Sequence, residues 1–162
     1  MKLICLIMLF TLFSCLKPQE VKDKAHVINS MAATLDKQYP GVPSVSFTNL
    51  TNDSQLVDLR TAAERNISTL PKAISKEDYE ANYESYKNKQ IVGFDTLGQR
   101  SIVWVSEQRA YGIEAYNLHG GILAWAHAGG KFITPSGEET KTVHVYAQAW
   151  DMLPEGFEAI TE

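Results

Sequence analysis

The residues best placed to do chemistry lie in "IVGFDTLGQRS", 91–101. An apolar run ends at Asp95, Gly98 permits a tight turn, and a helix start follows. Successive backbone N–H groups from Thr96 through Leu97, Gly98, Gln99 and Arg100 to Ser101 are placed to form a concave nest. The helix N-terminus adds partial positive charge, and the Arg100 side chain adds a full one. Such a site welcomes an anion, yet the residue at its head, Asp95, is itself a carboxylate. One reading makes Asp95 an internal counter-ion that accepts the nest's N–H groups and pairs with Arg100. The other makes it a nucleophile or metal ligand, roles in which Asp works with a cation or metal. His26, His119, His127 and His144 show no metal-ligand spacing, so no metal and no other cofactor is expected. Only His119, in the turn before Gly120, falls near the predicted rim of the site.

Several elements must hold this loop in place. "AHVINSMAATLDKQ", 25–38, has helical apolar spacing, and "YPGVPS" breaks it. "VSFTN" and "QLVDLR" read as strands, "TAAERN" as one or two helical turns, and "STLPKAIS" as extended or turn-like. Ser75 caps a predicted helix over 76–89, on which Tyr79, Tyr83 and Tyr86 share one packing face. "QIVGFD" is the next strand, and "RSIVWVSEQRAYG" is a helix stopped by Gly112. "IEAYNL" is a strand and "GGILAWAHAGG" a short helix. "KFITPSGEETKTVHVY" is hairpin-like or irregular, and 147–162 reads as a last helix and tail. Trp104, Trp125 and Trp150 are expected to pack helices on the sheet. Strands alternating with helices, several of them continuous apolar runs, predict an α/β fold with a mostly parallel central sheet and helices on both faces. In such a sheet ligands bind beyond the carboxyl ends of the strands. There the end of "LVDLR", the loop "DTLGQRS" and the turn after "AYNL" should converge.

A chain of 162 residues with 44% hydrophobic content fits one domain with a real core. A net charge of −4, from 15 basic and 19 acidic residues, lacks the basic stripe of a nucleic-acid binder. The first residues, "MKLICLIMLFTLFSC", carry Lys2 and then an apolar run from Leu3 to Phe13. That run is shorter than the ~20 residues of a membrane-spanning helix and suits a secretory signal. Its ending, Leu12-Phe13-Ser14-Cys15, resembles the bacterial lipobox, which implies removal of residues 1–14 and a lipid on Cys15. The cysteines are Cys5 and Cys15 alone. A chain starting at Cys15 would therefore hold no disulfide and no thiol except the lipidated one. The expected organisation is a lipoprotein-type signal over 1–14, a tether over 15–24, a helix and linker over 25–44, a domain over 45–134 and a C-terminal extension with a helix over 135–162. The expected location is the bacterial cell envelope, periplasm-facing or surface.

Four segments in order resemble the rhodanese-like family. "LVDLRTAAE" is similar to that family's Asp-aliphatic-Arg segment with a Glu four residues on, at Asp58, Arg60 and Glu64. "LPKAI" resembles its Ile-Pro-Gly-Ala stretch. "FDTLGQRS" is similar to its active-site loop, and "AYNLHGGILAWAHAG" to its strand, Gly-Gly, helix and Trp signature, at Asn117, Gly120, Gly121 and Trp125. The resemblance spans about residues 45–134 and implies a single rhodanese-like domain. It also implies a chemistry. Active members use a loop cysteine to take a sulfane sulfur from a donor such as thiosulfate, hold it as a persulfide amid backbone N–H groups and pass it to a thiophilic acceptor. The matching position here is Asp95, which cannot hold a sulfane sulfur. The family's Gly-His before the Ile-Pro is Ser68-Thr69, and the loop's first Arg is Thr96. Asp58 and Arg60 are carried over as a structural ion pair and, with Glu64, Gly120 and Gly121, as the scaffold of the cleft.

The resemblance and the substitution together imply a catalytically inactive, lipid-anchored rhodanese-like protein with a binding or regulatory role. Its partner would be an unidentified protein or small ligand, with the membrane reached through Cys15 and no nucleic acid involved. The alternatives are a residual thiosulfate or persulfide sulfurtransferase, and a module that binds a cation or small molecule at the Asp95 cleft.

Overall fold

A computed structural model describes residues 23–162. The signal-like residues 1–14, Cys15 and most of the tether lie outside the described residues. Helix α1 (Lys24–Gln38) opens the fold, with the Asp23 carboxylate accepting the His26 N–H at its start. Five strands make the main sheet: β1 (Ser44–Val45), β2 (Ser54–Asp58), β3 (Ile74–Ser75), β4 (Gln90–Phe94) and β5 (Ala115–Leu118). They run in the order β1-β5-β4-β2-β3, every pair parallel, as the alternation of strands and helices predicts.

Continuous apolar runs form β2 and β4 because both faces of the sheet are covered. Alternate residues feed two cores. Leu56, Val92 and Phe94 point to the side of α1 and α5 (Gly121–His127), whereas Val57 and Ile91 point to the side of α3 (Lys76–Ala81) and α4 (Gln99–Ala110). Gly93 interrupts the β4 run for a steric reason. A Cβ there would lie 3.0 Å from Trp104 Cε3 and 3.2 Å from Val105 Cγ2, so its absence lets α4 settle on the strand. Gly112, at φ +81°, ends the turn after α4 as expected.

Several expectations fail for identifiable reasons. The strand over "VSFTN" is limited to Ser44–Val45, and Phe47–Asn49 is a 3-10 turn that seats the Phe47 ring edge-on against Trp125 at 4.7 Å. The helix predicted over 76–89 stops at Ala81, where the Asn82 amide donates to the Asp78 carbonyl and a 3-10 turn follows over Tyr83–Ser85. The tyrosines still pack together. Tyr79 is buried, with Tyr83 edge-on at 5.9 Å and Tyr86 stacked at 6.0 Å.

The C-terminal extension contains no α-helix. β6 (Phe132–Ile133) and β7 (Glu139–Thr140) pair antiparallel, so the first part of the stretch that reads as hairpin-like or irregular is a hairpin. β8 (Thr142–His144) then pairs in parallel with β9 (Glu158–Ile160), and a single 3-10 turn over Gln148–Trp150 stands where a helix is predicted. Pro154 and Gly156 interrupt that helical pattern.

Candidate functional site

The loop after β4 is built as the sequence suggests and is already filled. The Asp95 side chain is 2% exposed. The Leu97 and Gly98 N–H groups donate to its Oδ1 at 2.8 and 2.6 Å, and the Ser101 N–H donates to Oδ2 at 2.9 Å. The Arg100 N–H also donates to Oδ2. Four backbone N–H groups at the start of α4 thus converge on one carboxylate, which takes the place an external anion would occupy.

Three neighbouring elements fix the loop's shape. Gly98 adopts φ +113°, and the Asn117 amide of β5 lies against it, 3.0 Å from where a Cβ would be. Asn117 Oδ1 accepts the Ser101 hydroxyl at 2.6 Å. From the other side α5 caps the loop's carbonyls: the Ile122 N–H donates to the Asp95 oxygen at 2.9 Å and the Leu123 N–H to the Thr96 oxygen at 3.2 Å. This approach explains the paired glycines. Gly120 and Gly121 both have positive φ, and a Cβ on Gly121 would overlap the Asp95 carbonyl.

The ion pairs differ in part from expectation. Arg100 pairs mainly with Glu64, not Asp95. Its two Nη atoms each donate to a Glu64 oxygen at 2.8 Å, while Nε lies 3.8 Å from Asp95 Oδ2. Glu64 belongs to α2 (Ala62–Ile67), where it also closes a capping box with Thr61. Burial opposes its charge, but hydrogen bonds from Arg100 and Thr61 and the Arg100 charge prevail and hold it down at about 2. Burial works against the charge of Arg100 as well, and is outweighed by Glu64, Asp95 and Asp58, which raise its affinity for the proton.

Behind this pair, Arg60 and Asp58 form a buried ion pair with Nη2–Oδ2 at 2.7 Å, and the Thr69 hydroxyl also donates to Asp58 at 2.7 Å. Arg60 Nη2 additionally donates to the Ser68 carbonyl at 2.7 Å. Thr69, one of the two departures from the family's pattern, therefore supports the ion pair with its side chain, whereas Ser68 does so through its backbone carbonyl alone.

A cleft of about 300 Å³ opens over the loop, lined by Asp95, Thr96, Leu97, Gln99, Arg100, Tyr146 and Trp150. The two aromatic residues were not among the expected site residues. They come from the C-terminal extension, fifty residues down the chain from the loop, and no local pattern connects the two. Trp150 sits in the 3-10 turn that replaces the expected helix, where it packs partly on the core and also walls this cleft. His119 lies elsewhere. It meets Asp36 at 2.9 Å and lines a separate, largely apolar cleft of about 280 Å³ beside Phe47 and Trp125. Among the described residues, no group of His, Cys, Asp and Glu is arranged to hold a metal ion.

Residues 46–128, half of the chain, match the Rhodanese-like domain family. No curated protein matches. Among solved structures, a thiosulfate sulfurtransferase from Pseudomonas aeruginosa is similar at a TM-score of 0.52 and 16% identity, over 68% of this chain and 23% of that one. A rhodanese-related protein from Thermoplasma volcanium has a TM-score of 0.49 at 18% identity, over 56% of this chain and 97% of that one. A rhodanese-like domain protein from Staphylococcus aureus has a TM-score of 0.44 at 27% identity, over 52% and 91% of the two chains. The first of these likenesses concerns the fold.

Proposed function

The chain belongs to the rhodanese-like domain family, and on that premise we propose that it is a non-catalytic member acting by binding. The observation that carries this reading is the Asp95 carboxylate with four backbone N–H groups on it. In the resemblance, a cysteine thiolate and then its persulfide would occupy that position. Here a group that cannot accept sulfane sulfur holds the same donors, and residues 16–162 contain no cysteine to replace it. An aspartate nucleophile would need its oxygens free and a cation beside the leaving group. Asp95 has both oxygens engaged, and Arg100 is committed to Glu64.

The reading extends to location. The Leu-Phe-Ser-Cys ending at Cys15 supports a lipid-anchored protein of the bacterial envelope, with the domain tethered by residues 15–24.

The test is a sulfur-transfer assay on the full chain with Cys5→Ser and Cys15→Ser, so that no thiol remains. Thiosulfate and cyanide should yield no thiocyanate above the buffer rate. Turnover in that chain would overturn the reading. Adding Asp95→Cys to the same background supplies the positive control. The new thiolate can displace sulfite from thiosulfate and keep the sulfane sulfur as a persulfide, seen as a gain of one sulfur by mass. Thr96, in place of a second arginine, should leave that site slow.

A further inference from the structure

We propose that the second cleft, the one beside His119, binds a neutral aromatic alcohol whose hydroxyl donates to His119 Nε2. The cleft lies apart from Asp95, so its occupancy is independent of the loop's chemistry. It holds about 280 Å³ between α1 and α5, and the turn at Phe47 and the end of β5 complete its walls. That volume suits a small molecule. The α1 wall lies ahead of residue 46, where the family match begins, so this chain supplies it from outside the matched region. The space stays open because Ala25 of α1 and Ala124 and Ala128 of α5 line it, where longer side chains would fill it.

Hydrogen bonds decide where the ring protons of its histidines sit. His119 Nδ1 is 2.9 Å from Asp36 Oδ2, and a carboxylate only accepts, so Nδ1 carries the proton. The Ser44 hydroxyl steadies that carboxylate by donating to its other oxygen at 2.5 Å. Nε2 of the neutral ring is then a bare acceptor. Asp36 lies outside the cleft lining, so the tied edge of the ring points away and the Nε2 edge is left to the cleft. His127 repeats the pattern. Its Nε2–H donates to the Met152 carbonyl at 2.8 Å, which leaves Nδ1 as the acceptor. Neither free nitrogen has a partner among the described residues.

A largely apolar cleft furnished with acceptors selects a hydrogen-bond donor on an apolar body. Trp125 and Phe47, edge-on at 4.7 Å, supply aromatic surface for that body. Charge works against the alternatives. A carboxylate would set its lone pairs against those of the histidines. An ammonium would leave water for a wall whose nearby carboxylate, Asp36, is already taken by Ser44 and His119. A phenolic hydroxyl donates without carrying a charge.

The experiment is NMR titration of the full chain with para-cresol, its methyl ether and para-toluate. The reporter is the indole N–H of Trp125, which is held on the Lys131 carbonyl. The cresol should shift that signal saturably. The ether, which cannot donate, should bind about tenfold more weakly, corresponding to ~1.4 kcal/mol, and the toluate no better than the ether. His119→Phe keeps a ring but removes Nε2, so it should bind cresol and ether alike. Ala25→Leu fills the cleft and should bind neither. No saturable shift with cresol, equal binding of cresol and ether by the parent, or tighter binding of toluate would each overturn the proposal. So would a preference for cresol that survives His119→Phe, or binding that survives Ala25→Leu. All of these outcomes leave the reading of Asp95 untouched, since that rests on sulfur transfer at the other site.

Discussion

Asp95 differs from a diffusible anion in being tied to the chain, so filling the nest costs no concentration and little translational entropy. The loop is therefore complete without ligand, and the carboxylate contributes to stability as a bound anion would. Removing it leaves four N–H groups without an acceptor, and each buried unsatisfied group costs about 1–3 kcal/mol. Water entering the vacated space recovers part of this. Asp95→Ala should consequently lower stability by about 2–4 kcal/mol in urea unfolding. The variant should also acquire what the parent lacks, a sulfate-dependent rise in melting temperature, since an anion that binds only the folded state stabilises it by mass action. Equal responses of parent and variant to sulfate would show that the nest was never the carboxylate's alone. The sequence made this puzzle visible, because Gly98, Arg100 and the strand-loop-helix order all point to an anion site. What it could not assign was the Arg100 partner. Glu64 lies 36 residues away, and only the fold shows that it takes both guanidinium nitrogens while Asp95 takes the backbone.

At the scale of elements, the loop is a junction of helices. Glu64 and Arg100 tie α2 to α4, and the N-terminus of α5 rests on the carbonyls of Asp95 and Thr96. The first tie has a pH signature. Glu64 is held at about 2 in the fold against an ordinary value of 4.5, so between these the unfolded chain binds more protons than the folded one. Its contribution, of order 3 kcal/mol, is full above about pH 4.5 and lost as pH falls toward 2. Glu64→Gln cannot titrate, so its stability deficit relative to the parent should narrow on acidification from pH 6 to about pH 3. A constant deficit in urea midpoints would show that Glu64 does not titrate in this window. The second tie depends on Gly121. Gly121→Ala should cost about 3 kcal/mol or more, from a methyl group against backbone in a left-handed residue, and should disturb the loop amides in NMR spectra. The Gly-Gly pair and the Gly112 stop were legible because each follows from local backbone conformation. The end of the helix at Ala81 is not legible in the sequence, because the tyrosine spacing fits a continuous helix and a 3-10 turn alike. The contacts of Tyr83 and Tyr86 with Tyr79, together with the Asn82 amide, select the turn.

For the whole molecule, the parallel sheet was readable from its apolar runs, whereas the roof of the cleft was not. Tyr146 and Trp150 are held by β8 and β9, a pairing of strands fourteen or more residues apart that no local period reveals. The other end of the chain carries the remaining expectation. If Cys15 is the lipid attachment point, the tether to α1 spans nine residues, or roughly 30 Å when extended, and the domain stays close to the bilayer. Loss of residues 1–14 removes Lys2 and no acid, so the anchored chain is more acidic than its precursor. On that proposal the negative charge would disfavour adsorption on anionic headgroups and leave attachment to the lipid alone. Expressed in a bacterial host fed a clickable fatty acid, the parent should be labelled, should sediment with membranes and should resist high salt. Cys15→Ser should abolish both label and membrane association, while Cys5→Ser, altered only within the segment proposed to be removed, should retain both. Salt-sensitive attachment, or label that survives Cys15→Ser, would place the anchor elsewhere.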